Sequence, residues 1–286
     1  FAGDSFYDMT PEARRELMEK VWADGSLSFW LTLYPEMFTD QKVNDEVSEF
    51  VREKMRERIK DPVLAEKLIP TSYGFGTHRV PLETQFLEAF LRPNVEIVDV
   101  KASPIVCVTP EGVKTADGKI HELDVLILAT GFDAGTGALT RMDIRGRGGR
   151  SLTEDWNRDI RSTMGLMVNG YPNLFTTAAP LAPSAAFCNM TTCLQQQVDW
   201  VTDCIKYMES HDLKVIEPTR ETEDKWVAHH DEIANATLVT KTDSWYMGSN
   251  IEGKPRRLLS YIGGVGTYRQ KCDEVTASNY AGFNLQ

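Results

Sequence analysis

The segment Leu123–Thr130, LDVLILAT, constrains the fold most: it is a continuous apolar run that stops at Gly131. A strand with one wet face alternates apolar and polar residues. A run that is apolar at nearly every position suits a strand covered on both faces. Cover on both faces implies helices on either side of a sheet, which predicts an α/β chain. Further strand candidates are VEIVDV at 95–100, PIVCVT at 104–109, GVKTA at 112–116 and NLFTTAA from Asn173.

The first seventy residues read as helical and charged. Thr10 before Pro11 and Glu12 is a candidate N-cap with Pro at the first helical position. The run DEVSEFVREKMRERIKD places Val47, Phe50, Val51, Met55 and Ile59 on one face at helical spacing. Two later helices are predicted over about 193–210, with Leu194, Val198, Val201, Ile205 and Met208 as its stripe, and about 220–237, including Trp226, Ile233 and Ala234. Between Gly131 and Gly149 the chain is glycine-rich and irregular.

The formal net charge of −11 argues against nucleic acid or an anionic membrane as partner. No run of 18 apolar residues occurs, and the start has no basic, then apolar, signal pattern. The five cysteines are odd in number and none has CxxC spacing, so neither a disulfide framework nor a zinc site is expected, and a reducing cytoplasm is. His229 and His230 are adjacent and point about 100° apart on a helix, which fits a solvated face better than a metal site.

Complete cofactor and nucleophile motifs are missing from the sequence. No GxGxxG opens a strand–helix unit, no phosphate loop precedes a Lys, and no GxSxG is present. YIGGVGTYR has glycines at the wrong spacing and reads as a turn. Arg79, at the end of GFGTHR, lies among small residues that allow a backbone to approach a ligand. The plainer reading is a surface Arg. Lys254, Arg256 and Arg257 have the charge to bind phosphate, although a solvated basic patch is commoner.

Several segments resemble the Baeyer–Villiger monooxygenase family, cyclohexanone monooxygenase-like, and occur in that family's order. LIPTSYGFGTHR at 68–79 resembles a loop with a GTKR core. LATGFDAGTGALTRMDIRGRGGRSLTEDW at 128–156 resembles the family's ATGFD linker and the IDIRG segment after it. GYPNLFTTAAPLAPSAAFCNM at 170–190 resembles a pocket-lining strand and loop, and QQQVDWVTDCIKYM at 195–208 the helix that follows. SWYMGSNIEGKPRRLLSYIGG at 244–264 and YRQKCDEVTASNYAGF at 268–283 resemble the terminal segments.

The resemblance implies part of a flavoprotein with two dinucleotide-binding domains, Rossmann-like for FAD and NADPH, with a helical insertion. Residues 1–73 match the insertion, 74–128 the later part of the NADPH domain and 129–286 the later part of the FAD domain. The upstream nucleotide motifs are not here, so the N-terminal half of the same enzyme is an expected partner. The family inserts oxygen from O2 beside a ketone carbonyl, and a cyclic ketone is the expected substrate. Another flavin monooxygenase, N-hydroxylating, and an inactive fragment are the alternatives.

The residue roles implied are specific. Arg79 matches the catalytic Arg that faces an anionic oxygen nucleophile formed from O2 on reduced flavin. Thr77 and His78 match cofactor-binding positions. His78 stands where the family has a Lys that reads the ribose phosphate of NADPH, and imidazole is a weaker phosphate partner than ammonium. Trp245 matches a Trp on a mobile loop over the nicotinamide end, shared by Asn250 and Lys254. Asn189 and Met190 match cofactor contacts, and Ser184, Ala185, Ala186 and Phe187 the substrate-lining loop.

Overall fold

A computed structural model describes residues 5–286, which divide into two compact units. The first comprises the chain up to Met37, Lys42–Phe75 and Val80–Gly131; the second comprises Phe38–Gln41, Gly76–Arg79 and Phe132–Gln286.

In the first unit, helices α1 (Pro11–Ala23), α2 (Ser28–Leu31), α3 (Gln41–Ile59), α4 (Pro62–Leu68) and α5 (Phe86–Ala89) precede a small sheet. α1 starts where expected: the Thr10 side chain accepts from Ala13 N at 3.3 Å, and Pro11 fills the first turn. α3 buries Val43, Val47, Phe50 and Ile59. Phe29 stacks on Phe50 at 5.4 Å, and Trp22 and Phe75 meet Phe29 edge-on at 5.3 and 5.6 Å. Burial of Phe29 and Phe50 is worth roughly 1.5–3 kcal/mol each.

α3 also fixes the loop at 70–75. Buried Asn44 donates from Nδ2 to the carbonyls of Met37 and Phe75, both at 2.9 Å. Ser48 Oγ accepts from Phe75 N at 2.8 Å, and Arg52 donates to the carbonyls of Pro70 and Tyr73 at 3.0 and 3.2 Å. Gly74 is required by this approach, since a Cβ there would lie 1.9 Å from Asn44 Oδ1.

The strands β1 (Ile105–Val108), β2 (Gly112–Thr115) and β3 (Ile120–Glu122) form an antiparallel meander. Two of the predicted strands are therefore found, at 104–109 and 112–116. The runs at 95–100, 123–130 and from Asn173 form no ladder. Val125, Ile127 and Leu128 are 74, 83 and 76% exposed, the reverse of the both-face burial expected. A strand exists through its neighbours, because each N–H and C=O must find a partner. Leu123 N still donates to Glu111 O at 3.0 Å, but among the described residues no strand pairs with the rest of the run.

The second unit contains α6 (Gly137–Thr140), α7 (Leu152–Arg158), α8 (Met190–Ser210), β4 (Ile216–Pro218), α9 (Arg220–Asn235), α10 (Val265–Ala277) and β5 (Phe283–Leu285). β4 and β5 pair antiparallel. Its core gathers Trp200, Trp226, Tyr261, Tyr268 and Tyr280, with Trp226 stacked on Tyr261 at 5.2 Å. Each buried ring's polar end is anchored where it can be: Trp200 Nε1 on Cys272 O, Trp226 Nε1 on Leu181 O and Tyr268 Oη on Met164 O.

The predicted helices at 193–210 and 220–237 are present, but only part of the stripe assigned to α8 is buried: Met208 is, Val201 packs on the core, and the rest of the inward face is different. Cys193, Gln197, Trp200, Cys204 and Met208 face inward, while Val198 and Ile205 are exposed. The indole face carries more area than the branched aliphatic one and wins the core. His229 and His230 are not on a solvated face either. His229 Nε2 lies 3.0 Å from Tyr261 Oη, and His230 is 1% exposed. The sulfurs of Cys188 and Cys193 lie next to each other, a pairing the cysteine spacing did not suggest. A separation of five residues across a helix start brings them together, a local geometry that CxxC counting misses.

Candidate active site

Three segments of the second unit are laced by backbone hydrogen bonds. Leu181 N donates to Leu259 O at 2.9 Å, Tyr261 N to Ala182 O at 2.9 Å, and Leu259 N to Tyr246 O at 2.8 Å. Ser184 N donates to Ser260 Oγ at 3.1 Å. The loop at 178–183 is held from α8 by buried Gln197, which accepts from Ala178 N at 2.7 Å. Ala178 and Leu181 both have positive φ, 52° and 70°. Non-glycine residues hold this conformation only where their surroundings over-determine it.

The residues Gly76–Arg79 dock onto this frame. Arg79 Nη1 donates to Ala185 O at 2.5 Å, which pins an exposed guanidinium to the loop at 184–187. Thr77 is buried and accepts from Thr242 Oγ1 at 3.0 Å. The His78 imidazole is held below its usual pKa by burial, partly offset by a hydrogen bond with the Asp243 backbone. It is therefore mostly neutral near pH 7.

Tyr246, which sequence reasoning missed, joins these parts. Its ring tilts against Phe187 at 5.1 Å and meets Trp245 edge-on at 4.4 Å. Burial pushes its phenol up to about 12, and the adjacent Arg79 charge offsets part of that rise. The hydroxyl is buried yet makes no hydrogen bond of normal geometry among the described residues. The Arg79 guanidinium lies beside it and acts on its oxygen. A protonated, unspent donor beside a fixed cation is suited to an oxygen ligand. The only sequence signal was its place between Trp245 and Met247.

The structure therefore brings Thr77, His78, Arg79, Ser184, Ala185, Ala186, Phe187 and Trp245 into one frame. Other candidates are committed elsewhere. Asn250 Nδ2 donates to Phe132 O at 3.1 Å, and Lys254 Nζ to Asp133 Oδ1 at 2.6 Å and Ala134 O at 2.8 Å. Asn189 caps α8, accepting from Thr191 N at 3.1 Å and Thr192 N at 3.4 Å, and Met190 begins that helix. The expected solvated basic patch holds only for Arg256, which is exposed and pairs with Asp243; Arg257 is largely buried and pairs with Asp159 and Asp231. Among the described residues no group of three His, Cys, Asp or Glu is placed to hold a metal, and no helix is long and apolar enough to cross a membrane.

No protein-family model matches the chain. It is 60% identical to an acetone monooxygenase (methyl acetate-forming) from Gordonia sp. (strain TY-5), over 99% of this chain and 53% of that protein. It is 37% identical to a cyclohexanone 1,2-monooxygenase from Acinetobacter sp., over 97% of this chain and 50% of that protein. The solved structure of OTEMO in complex with FAD and NADP superposes with a TM-score of 0.93 at 37% identity, covering 99% of this chain and 52% of that one. The chain spans about half the length of the relatives it matches. It is a homologue of the Baeyer–Villiger monooxygenases over that half.

Proposed function

We propose that this chain carries the Arg79 side of an active site that inserts one oxygen atom from O2 beside a ketone carbonyl, giving an ester or lactone. The observation that carries the reading is the exposed Arg79 guanidinium, pinned to Ala185 O beside Phe187 and Tyr246. Overall, ketone, O2, NADPH and a proton become ester, NADP+ and water.

Bound FAD, reduced by NADPH, supplies the activated oxygen. Arg79 supplies a charge that persists at every working pH and rigid donors for an anionic oxygen. Because the Ala185 carbonyl and the aromatic wall fix it beforehand, it needs no reorganisation as negative charge develops, and such donors are worth ~3–4 kcal/mol. The Tyr246 hydroxyl is a second donor, protonated throughout the working range. In this reading Thr77 and His78 serve the ribose-phosphate end of NADPH and Trp245 its nicotinamide end.

The domain assignment belongs to the same proposal: 1–73 as helical insertion, 74–128 as part of the NADPH domain, 129–286 as part of the FAD domain, with the preceding half of the polypeptide as partner. A cyclic ketone was expected. The higher identity to a protein named for acetone favours a small acyclic ketone first and a cyclic one second.

The test is the full-length protein with FAD, NADPH, O2 and acetone, assayed for methyl acetate by gas chromatography. Ester formed in step with NADPH consumption is expected. NADPH oxidation with no ester from acetone or cyclohexanone would sink the reading.

A further inference from the structure

Lys254 and Asp133 are 121 residues apart, yet the Lys254 side chain is 6% exposed and its Nζ is satisfied by Asp133 Oδ1 and Ala134 O. Two glycines open the way for this pair. A Cβ on Gly248 would lie 3.2 Å from both Cδ and Cε of Lys254, so the lysine stem crosses over that glycine. A Cβ on Gly137 would lie 2.7 Å from Asp133 Cβ and 2.8 Å from its Cγ, so that glycine leaves room for the carboxylate. Thr136 Oγ1 donates to Asp133 Oδ1 at 3.2 Å and holds it in place.

The segment between is a loop with a closed base. Arg257 N donates to Met247 O at 3.2 Å and Leu259 N to Tyr246 O at 2.8 Å, so 248–256 is an excursion from one anchored point. Its far side has two clamps on 132–134: the Lys254–Asp133 pair and Asn250 Nδ2 on Phe132 O. Trp245 and Tyr246 lie at the base of this excursion, packed edge-on against each other, and Tyr246 meets Phe187 and lies beside Arg79.

We propose that Lys254 and Asp133 are a positioning pair: they clamp the loop at 248–254 to the segment 132–134 and so hold Tyr246, with Trp245 packed on it, beside Arg79. This rests on the Baeyer–Villiger reading, in which water must be kept from the activated oxygen. The pair touches neither ketone nor reacting atoms. A buried charge that loses its partner is strongly disfavoured, so removing one member releases the loop rather than leaving it in place.

The test uses the full-length protein with Lys254→Met, Asp133→Asn, the double variant, and Asn250→Ala as a milder variant that orphans no buried charge. Hydrogen exchange of 245–254 and 132–137 reads the clamp without reference to activity. The ratio of ester formed to NADPH consumed reads its consequence. Each single variant should speed exchange in both segments and lower that ratio about tenfold, the factor given by ~1.4 kcal/mol of lost closed-loop preference. Asn250→Ala should act in the same direction, less strongly. The double variant should be no worse than either single one, because the two act as a unit. Unchanged local exchange, a lower melting temperature with an unchanged ratio, or strictly additive losses would overturn the proposal. If a single variant does not fold, the same outcomes for Asn250→Ala decide it. Absence of ester in the wild type would instead count against the reading beneath it.

Discussion

His78 shows how burial sets a residue's chemistry. Burial holds its pKa below the ordinary value of 6.5 and the Asp243 backbone only partly opposes this. The stability contributed by neutral His78 is present above that ordinary value and is lost as pH falls through the depressed one. In the proposed cofactor site the charge follows the same sign: imidazolium appears only as pH drops below 6.5. Preference for NADPH over NADH should therefore rise on acidification in the wild type relative to His78→Gln. That variant is the needed control, because the ribose phosphate itself loses charge near pH ~6. His78→Lys should tighten NADPH binding more than NADH binding at pH 7. Equal changes in both Michaelis constants would remove His78 from the cofactor site. Arg79 was legible in the sequence as a resemblance, but its contact with Ala185, 106 residues away, was not. Lys254 was read as a solvated basic residue or a cofactor contact because sequence shows a charge and conceals its partner.

At the scale of elements, helices were the legible part, because 3.6-residue periodicity is local. The start of α1 and the existence of α3, α8 and α9 follow from caps and spacing. The buried face of α8 did not, since only tertiary packing decides between an indole stripe and an aliphatic one. The loop at 70–75 is another case: its shape depends on Asn44, Ser48 and Arg52 in α3. Gly74→Ala should cost ~1–3 kcal/mol by overpacking against Asn44, seen as a lower urea midpoint. Because residues 76–79 follow directly, it should also impair ester formation in the full-length protein. A Gly74→Ala protein with wild-type midpoint would show that the approach of Asn44 is not tight.

At the scale of the whole molecule, the strongest sequence feature is the one least satisfied. LDVLILAT predicted a doubly covered strand, and Val125, Ile127 and Leu128 are exposed instead. The inference about burial was drawn from composition, while the ladder that would realise it depends on partners that 123–130 lacks here. If the preceding half of the polypeptide supplies them, amides 124–130 should be protected from hydrogen exchange in the full-length protein and fast in this chain alone. Fast exchange in both would rule out a buried strand there. The central claim is that Arg79 supplies the charge for oxygen insertion. Its most direct test is Arg79→Ala in the full-length protein, with flavin absorbance, NADPH oxidation and ester formation measured together. Flavin should stay bound and NADPH should still be oxidised, while ester formation falls by at least ~10²–10³. Ester formation near the wild-type rate would return Arg79 to the status of a surface residue.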